Sequence, residues 1–315
     1  MKSKKKIALI IGTGMLGAYL SKYLLKKKYS VFVTTRSLKK KFTNYSRLNI
    51  LKKIKFKKLD ILNKQEISDT IRSINPISIY YFAGISSITE SFYSPKETFL
   101  SNYTGAKNFL EILKKEKSNI RFYKANSGYI FKSSTSGITI KSKLTKPNSP
   151  YIYSQIKAFK IVKKYRNLGI KSYNIIFFNI ESPIKNNNFF IKKICIALKK
   201  SKRKKIRVGN LESVRDYGWA PEIIKGVYLM SKINPCDLIL GTGKGMSARQ
   251  ILKIIFNFKK LDYVDFIEID KKFLRKYENN YIVSNMSESI KKLKKWRWKP
   301  KIYGKNLIYK MYKNI

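Results

Sequence analysis

Short, largely apolar runs alternate with stretches whose apolar positions recur at helical spacing through the first half of the chain. Ile7–Ile11, Ser30–Thr34, Ile54–Lys58, Ile77–Phe82, Ile120–Ala125 and Ser172–Phe178 read as buried strands. Helices are predicted over Leu16–Lys27, Lys64–Ile74, Pro95–Lys115 and Tyr151–Asn167. This alternation predicts an α/β fold, a doubly wound parallel sheet covered on both faces. After Phe178 the elements shorten. Ile206–Gly209, Leu238–Gly241 and Phe266–Ile269 read as strands, and Phe189–Lys199, Pro221–Ser231 and Ala248–Phe258 as helices. The expected division is a dinucleotide-binding domain over 1–180, to which 212–242 returns, and a smaller C-terminal α/β substrate lobe over 181–315. Lys132–Ser149, rich in Ser, Thr, Lys and Gly, reads as a surface loop able to cover a site.

Composition changes this picture little. The 315 residues suffice for a full core, and 43% hydrophobic content fits a globular chain. The formal charge of +51 first suggests a polyanion partner. Yet all but 11 of the 69 basic residues are lysines, and they run from end to end beside abundant Ile and Asn. That is the mark of a coding bias and a solvated surface, so no specific nucleic-acid partner is expected. The densest run, Lys199 to Lys205, is expected to end a helix. With His 0, histidine bases and histidine-held metals are excluded, and the two separated cysteines, Cys195 and Cys236, suggest neither zinc nor a disulfide framework. The basic start and the apolar run behind it resemble a signal peptide, but cleavage would destroy the glycine turn that follows. A cytoplasmic protein with no membrane partner is expected.

Gly12, Gly14 and Gly17 form G-x-G-x-x-G between the first strand and first helix. There Gly12 permits the turn, Gly14 admits a pyrophosphate, and Gly17 lets helix meet strand. Arg36 follows the second strand where an NAD site carries an acid. An arginine there can grip a 2′-phosphate, so the expected cofactor is NADP, with NAD the less favoured reading. Asp60-Ile61 either flanks an adenine or simply precedes a helix cap. Tyr153 and Lys157 stand at i and i+4, where an ammonium favours the phenolate of a residue whose pKa is ordinarily ~10. Both residues are assigned to catalysis and to the cofactor. Ser127 follows the fifth strand and could donate to the reacting oxygen; on its own it would be a turn serine.

With these residues in place, the chain resembles the extended short-chain dehydrogenase/reductase family, and within it the GDP-mannose 4,6-dehydratases. The resemblance runs from Ala8 to Trp298. It is carried by Phe178-Asn179-Ile180-Glu181-Ser182-Pro183, by Gly209 to Gly218 with Arg215-Asp216-Tyr217, by Asp270, Phe273, Arg275 and Glu278, and by Trp298-Lys299-Pro300. It implies a Rossmann fold with NADP along Ala83 and Ser86, and a structural Asn102. It further implies a GDP-sugar substrate held by Asn179, Lys193, Arg215, Arg275 and Glu278. A homo-dimer or homo-tetramer built on Pro95–Lys115 and Tyr151–Asn167 is implied as well.

The implied activity is a hydro-lyase reaction, GDP-mannose to GDP-4-keto-6-deoxymannose. In it Tyr153, helped by Lys157 and Ser127, takes the C4 hydroxyl proton, hydride leaves C4, water is lost across C5–C6, and hydride returns to C6. One departure bears on the middle stage: Tyr129 stands where the family keeps the glutamate that takes the C5 proton. A positioned base contributes ~10²–10⁴-fold, so a 4-reductase or 4-epimerase is the rival enzyme. A non-catalytic nucleotide-sugar or dinucleotide binder is the rival of another class.

Overall fold

The structure is a computed structural model, and it describes residues 6–200, 205–274 and 280–315. The chain divides into two compact units. Unit 1 takes 1–130, 143–176 and 224–238; unit 2 takes 131–142, 177–223 and 239–315.

Unit 1 is built, in chain order, from β1 (Ile7–Ile11), α1 (Met15–Lys26), β2 (Ser30–Thr35), α2 (Thr43–Arg47), β3 (Lys55–Lys58), α3 (Lys64–Ile74), β4 (Ser78–Tyr81), α4 (Ile88–Tyr93), α5 (Pro95–Phe99), α6 (Gly105–Lys115), β5 (Arg121–Ser127), α7 (Pro150–Asn167) and β6 (Ser172–Phe177). In unit 2 there follow β7 (Asn179–Glu181), α8 (Phe190–Lys199), β8 (Ile206–Val208) and β9 (Val214–Trp219). The chain then returns to unit 1 through most of α9 (Ala220–Leu229) and the first half of β10 (Asp237–Leu240), and unit 2 is completed by β11 (Gly245–Ser247), α10 (Ala248–Asn257), β12 (Ile267–Ile269), β13 (Tyr281–Ile282), α11 (Ser287–Lys292) and α12 (Gly304–Lys313).

Seven strands form the main sheet in the order β10-β6-β5-β4-β1-β2-β3, and the pairs from β3 across to β5 are parallel. The order reverses between β1 and β4. That is the switch point at which a doubly wound sheet opens a crevice beyond its strand ends. Leu9, Ile11, Ile79, Tyr81 and Phe122 on one face pack against Ile67 and Ile71 of α3 and Phe109 and Leu113 of α6. Burial of these aliphatic and aromatic side chains is the main favourable term holding the layers.

The expected strands and helices are largely found, beside short elements that were not expected, among them α2, α4, β7, β9, β11, β13, α11 and α12; three further differences stand out. The predicted helix over Pro95–Lys115 contains a π-helical stretch at Leu100–Thr104, which lets Asn102 project inward. The return to unit 1 is 224–238, shorter than the expected 212–242. β9 stays in unit 2 because β7, β11 and β13 all pair with it. The expected surface loop after Lys132 is pinned in its first half. There the Ile138 amide donates to Val283 O (2.8 Å), the Asn285 amide donates to Ile138 O (2.8 Å), and 131–142 belongs to unit 2. Of the run Lys199 to Lys205, Lys199 ends α8 as expected, while Ser201 to Lys204 lie outside the described residues. Among the described residues no helix is long and apolar enough to cross a membrane.

Lys124 on β5 is an anomaly in this core. It is 1% exposed, donates to Ala125 O at 2.5 Å, and lies 5.5 Å from the centroid of the Tyr81 ring. Burial pulls its ammonium down from the ordinary 10.5 to about 7. The unfolded chain therefore binds a proton that the folded chain does not between about 7 and 10.5, so stability rises with pH across that window. Below it the full cost is carried, about 5 kcal/mol. Lys124→Met is expected to stabilise the protein at pH 6–7, with the gain shrinking toward pH 10. Urea unfolding of both proteins across this range checks it; a pH-independent difference would contradict the burial argument.

Candidate functional site

In unit 1 the glycine turn sits at the switch point. Gly12 has φ +109, and a Cβ built on it would lie 2.9 Å from the Ala83 amide nitrogen, so the loops after β1 and β4 touch backbone to backbone. A Cβ on Gly17 would meet Gly12 O at 2.6 Å, the close helix–strand approach expected of the third glycine. Gly14 is the N-cap of α1, and nothing lies within 4 Å of a Cβ built there. This open ground before the amides of a helix N-terminus suits a pyrophosphate. The residues present thus fit a dinucleotide.

The other residues assigned to a dinucleotide are placed as follows. Arg36 pairs with Glu97 at 2.6 Å, both side chains largely in solvent. Such an exposed pair contributes little and can be exchanged for a phosphate partner. Asp60 accepts from the Leu62 amide at 2.9 Å, and Ile61 O accepts from Asn108 Nδ2 at 3.1 Å, so this turn is locked onto α6. Ser86 is exposed between β4 and α4.

The helix assigned to catalysis places its two tyrosines on opposite faces. Ser127, the last residue of β5, is buried, and the phenol whose ionisation its side chain eases is that of Tyr151. Tyr151 is 8% exposed, whereas Tyr153 is 42% exposed. Two helical positions differ by roughly 200° around the axis, so the two tyrosines face opposite ways. Tyr153 stacks near Phe99 (centroids 5.7 Å) in an apolar groove of about 530 Å³ with Phe92, Pro95, Pro147 and Pro150. Lys157 follows it onto the exposed side, 5.5 Å from its ring centroid. The structure brings Tyr153 and Lys157 together and leaves both away from Ser127.

The phase of α7 is set at its start. Ser149 caps it by accepting from the Ile152 amide at 3.2 Å, and Pro150 occupies the first turn. Asn102 braces it. Its Nδ2 donates to Ile85 O and to Ser154 Oγ, each at 3.1 Å, and Ser154 Oγ donates to Tyr151 O at 2.8 Å. Gly84 makes room for this brace, since a Cβ there would lie 1.8 Å from Asn102 Oδ1. Four residues after Tyr151, on the same face, stands Gln155, where the i+4 logic calls for lysine. Burial pushes the Tyr151 phenol up to about 12; the Ser127 hydrogen bond opposes this and nearby Tyr129 adds to it. Ser127 Oγ also accepts from the Tyr129 amide at 3.2 Å, so Tyr129 is tied to the same turn. Tyr151 and Gln155 escaped the sequence reading, although Ser149-Pro150 marked the helix start and hence the first turn.

In unit 2, Asn179 opens β7 opposite Tyr217 of β9. Just beyond it a buried clip holds the chain: Lys185 reaches Glu181 at 2.5 Å and Ile180 O at 2.8 Å. Lys193 donates to Arg207 O at 2.7 Å and lies 5.0 Å from the Phe273 ring centroid; burial lowers its pKa. Arg215 is buried on β9, donating to Val214 O (2.8 Å) and Asn280 O (3.2 Å). Asp216 beside it accepts from the Thr242 and Gly243 amides at 3.0 Å and from Ser284 Oγ, which fixes the β10–β11 turn. Arg275 and Glu278 lie outside the described residues.

A family model described as GDP-mannose 4,6 dehydratase matches residues 9–311. GDP-mannose 4,6 dehydratase 1 of Arabidopsis thaliana is 30% identical over 98% of this chain and 89% of its own length. The Drosophila melanogaster GDP-mannose 4,6 dehydratase is 27% identical over 99% and 86%. Among solved structures, the Thermotoga maritima UDP-glucose 4-epimerase with UDP-glucose superposes with TM-score 0.85 at 17% identity, covering 98% of each chain. The dTDP-glucose 4,6-dehydratase DesIV of Streptomyces venezuelae, with NAD and TYD bound, gives TM-score 0.83 at 17% identity over 98% and 97%. These likenesses share the doubly wound sheet described above. The chain belongs to the GDP-mannose 4,6-dehydratase family, hydro-lyases within the extended short-chain dehydrogenases/reductases.

Proposed function

We propose that the protein is a nucleotide-sugar 4,6-dehydratase acting on GDP-mannose, with NADP as its cofactor and the Ser127–Tyr151 pair as its proton-handling centre. The observation that carries this reading is the inward face of α7, which buries Tyr151 together with Ser127 of β5 while Tyr153 is left exposed. Tyr151 takes the proton of the sugar C4 hydroxyl while Ser127 donates to the same oxygen. A nicotinamide held there would supply the hydride chemistry at C4 and C6. The amides around Gly14 hold the pyrophosphate, and Arg36 exchanges Glu97 for a 2′-phosphate. Asn179, Lys193 and Arg215 of unit 2, with Arg275 and Glu278, are assigned to the GDP portion on the family resemblance.

Tyr129 favours a second reading, a 4-reductase or 4-epimerase on a GDP-sugar. A neutral phenol is a poor acceptor for the C5 proton, and loss of a positioned base costs ~10²–10⁴-fold in the elimination alone. Oxidation and reduction at C4 need no such base.

Incubation of the purified protein with GDP-mannose and NADP, followed by mass spectrometry of the sugar nucleotides, tests both. Loss of one water supports the dehydratase, and Tyr129→Glu is then expected to speed it. A product that keeps the water and changes only at C4 supports the second reading. A sugar left unchanged by every protein would leave only binding.

Whatever the product, Tyr151→Phe is expected to reduce turnover about 100-fold or more, while Tyr153→Phe stays within about 3-fold of the parent. The reverse ranking would return the catalytic role to Tyr153. Arg36→Ala is expected to weaken NADP binding by about 10–100-fold and to leave NAD nearly untouched, as calorimetry would read.

A further inference from the structure

Charge is uneven along the chain. No Asp or Glu occurs before Asp60, and the lysines between β2 and that residue gather along one border of unit 1. β3 ends the seven-stranded sheet, and its outer side pairs with no strand among the described residues. The triplet Lys39 to Lys41 leaves β2 at one end of β3, and the pair Lys52-Lys53 enters β3 at the other. All five are exposed, as are Lys55 and Lys58 on the strand. Among the described residues none of the five has a carboxylate partner, whereas Arg36 pairs with Glu97. The first acids, Asp60 and Glu66, are tied to the start of α3, where Glu66 Oε2 accepts from the Asp60 amide and Asp60 Oδ1 from the Leu62 amide.

Lysines on an edge strand deter pairing with another chain, which accounts for Lys55 and Lys58. It does not account for the triplet and the pair, which lie beyond the strand ends. Each of those clusters also has an exposed leucine directly before it: Leu38 is 51% exposed and Leu51 37%. The aromatic rings of the same border are spent on one another. Phe42 stacks on Phe56 with centroids 3.8 Å apart, and Tyr45 meets Phe56 edge-on at 5.1 Å. A nucleic acid is held best by free aromatic faces and by the planar fork of arginine. This border offers point charges and aliphatic tips instead.

We propose that it is a peripheral docking surface for an anionic lipid bilayer, with the lysines at the headgroups and Leu38 and Leu51 dipping among them. The expectation of no membrane partner rests on the lack of a spanning run. Peripheral adsorption needs none, because it scales with charge and a small buried apolar area. A lysine near an anionic surface is worth about five-fold in partitioning, so two clusters side by side make a firm, salt-sensitive contact. None of the residues proposed for catalysis or ligand binding takes part.

The test is flotation of the full chain with vesicles of phosphatidylcholine and phosphatidylserine, about 7:3, at about 0.1 M salt, against pure phosphatidylcholine vesicles. Two variants lose the same charge. One is Lys40→Gln/Lys41→Gln/Lys52→Gln/Lys53→Gln at the border, and the other is Lys253→Gln/Lys291→Gln/Lys294→Gln/Lys295→Gln at exposed positions of unit 2. Partitioning is expected to fall about 100-fold or more in the first and to stay within about 3-fold in the second. Leu38→Ser/Leu51→Ser is expected to weaken it about 10-fold while leaving binding to a single-stranded oligonucleotide unchanged.

Equal losses in the two charge variants would assign the attraction to net charge and overturn the surface. So would absence of the parent from the floating fraction, or equal binding to the neutral vesicles. Oligonucleotide binding that depends on the border lysines, with vesicle binding indifferent to the two leucines, would assign the border to nucleic acid. Should the quadruple border variant fail to fold by circular dichroism, Lys40→Gln/Lys41→Gln and Lys52→Gln/Lys53→Gln replace it, each expected to cost about 25-fold.

Discussion

Which tyrosine meets Ser127 depends on where α7 begins. Ser149 closes the first turn and Pro150 presets its backbone, so the helix starts at one residue and its phase follows. Asn102 then holds that turn through Ser154, whose hydroxyl reaches the Tyr151 carbonyl. Starting the helix two residues later would turn Tyr153 inward and Tyr151 out. The catalytic proposal is thus controlled by hydrogen bonds of the cap and brace. Asn102 can make its two contacts because the π-helical stretch at Leu100–Thr104 turns it into the core, and because Gly84 leaves room for its side chain.

Much of the sheet was legible because apolar periodicity reports burial directly. Ile7–Ile11 and Lys64–Ile74 appear with the expected bounds, the latter with Asn63 accepting from the Glu66 amide as a cap. The glycine turn was legible for a different reason: each glycine answers a steric demand that another residue could not meet at Gly12 or Gly17. The allegiance of β9 was not legible, since it rests on pairing with strands distant in sequence. Nor was the pinning of Ile138 to Val283 and Asn285, a backbone contact with no compositional mark.

Composition is why spacing alone could not choose between the two tyrosines. With 22 tyrosines and 69 basic residues, a Tyr followed four positions later by Lys arises readily by chance. Tyr153 and Lys157 supplied such a pair two residues beyond Tyr151, where Gln155 breaks the pattern. Burial separates the two candidates where spacing could not. The inward face of α7 carries Tyr151, Gln155 and Ala158, while Tyr153, Lys157 and Lys160 are exposed. A helix in a lysine-rich chain places its lysines outward unless something within pays for their desolvation, so an i+4 lysine there is weak evidence of a site.

That distribution bears on the chemistry. The chain carries a formal charge of +51, yet the α7 face that buries Tyr151 carries no lysine among its buried positions, while Lys157 and Lys160 are exposed. Its deeply buried cations are engaged elsewhere: Lys124 with Ala125 O, Lys192 with Lys185 O, and Arg215 with Val214 O and Asn280 O. Exposed lysines are screened within about 10 Å at moderate salt, so the global charge cannot substitute for one ammonium at contact distance. What the described residues offer is a buried serine and phenol, Ser127 and Tyr151, with the buried Gln155 on the same face of α7 as Tyr151. Positioning of this kind preserves hydride geometry and ligand binding, while proton transfer loses its electrostatic help. On the proposed reading, the tyrosine at 129 bears on the acid–base half of the chemistry and not on ligand binding.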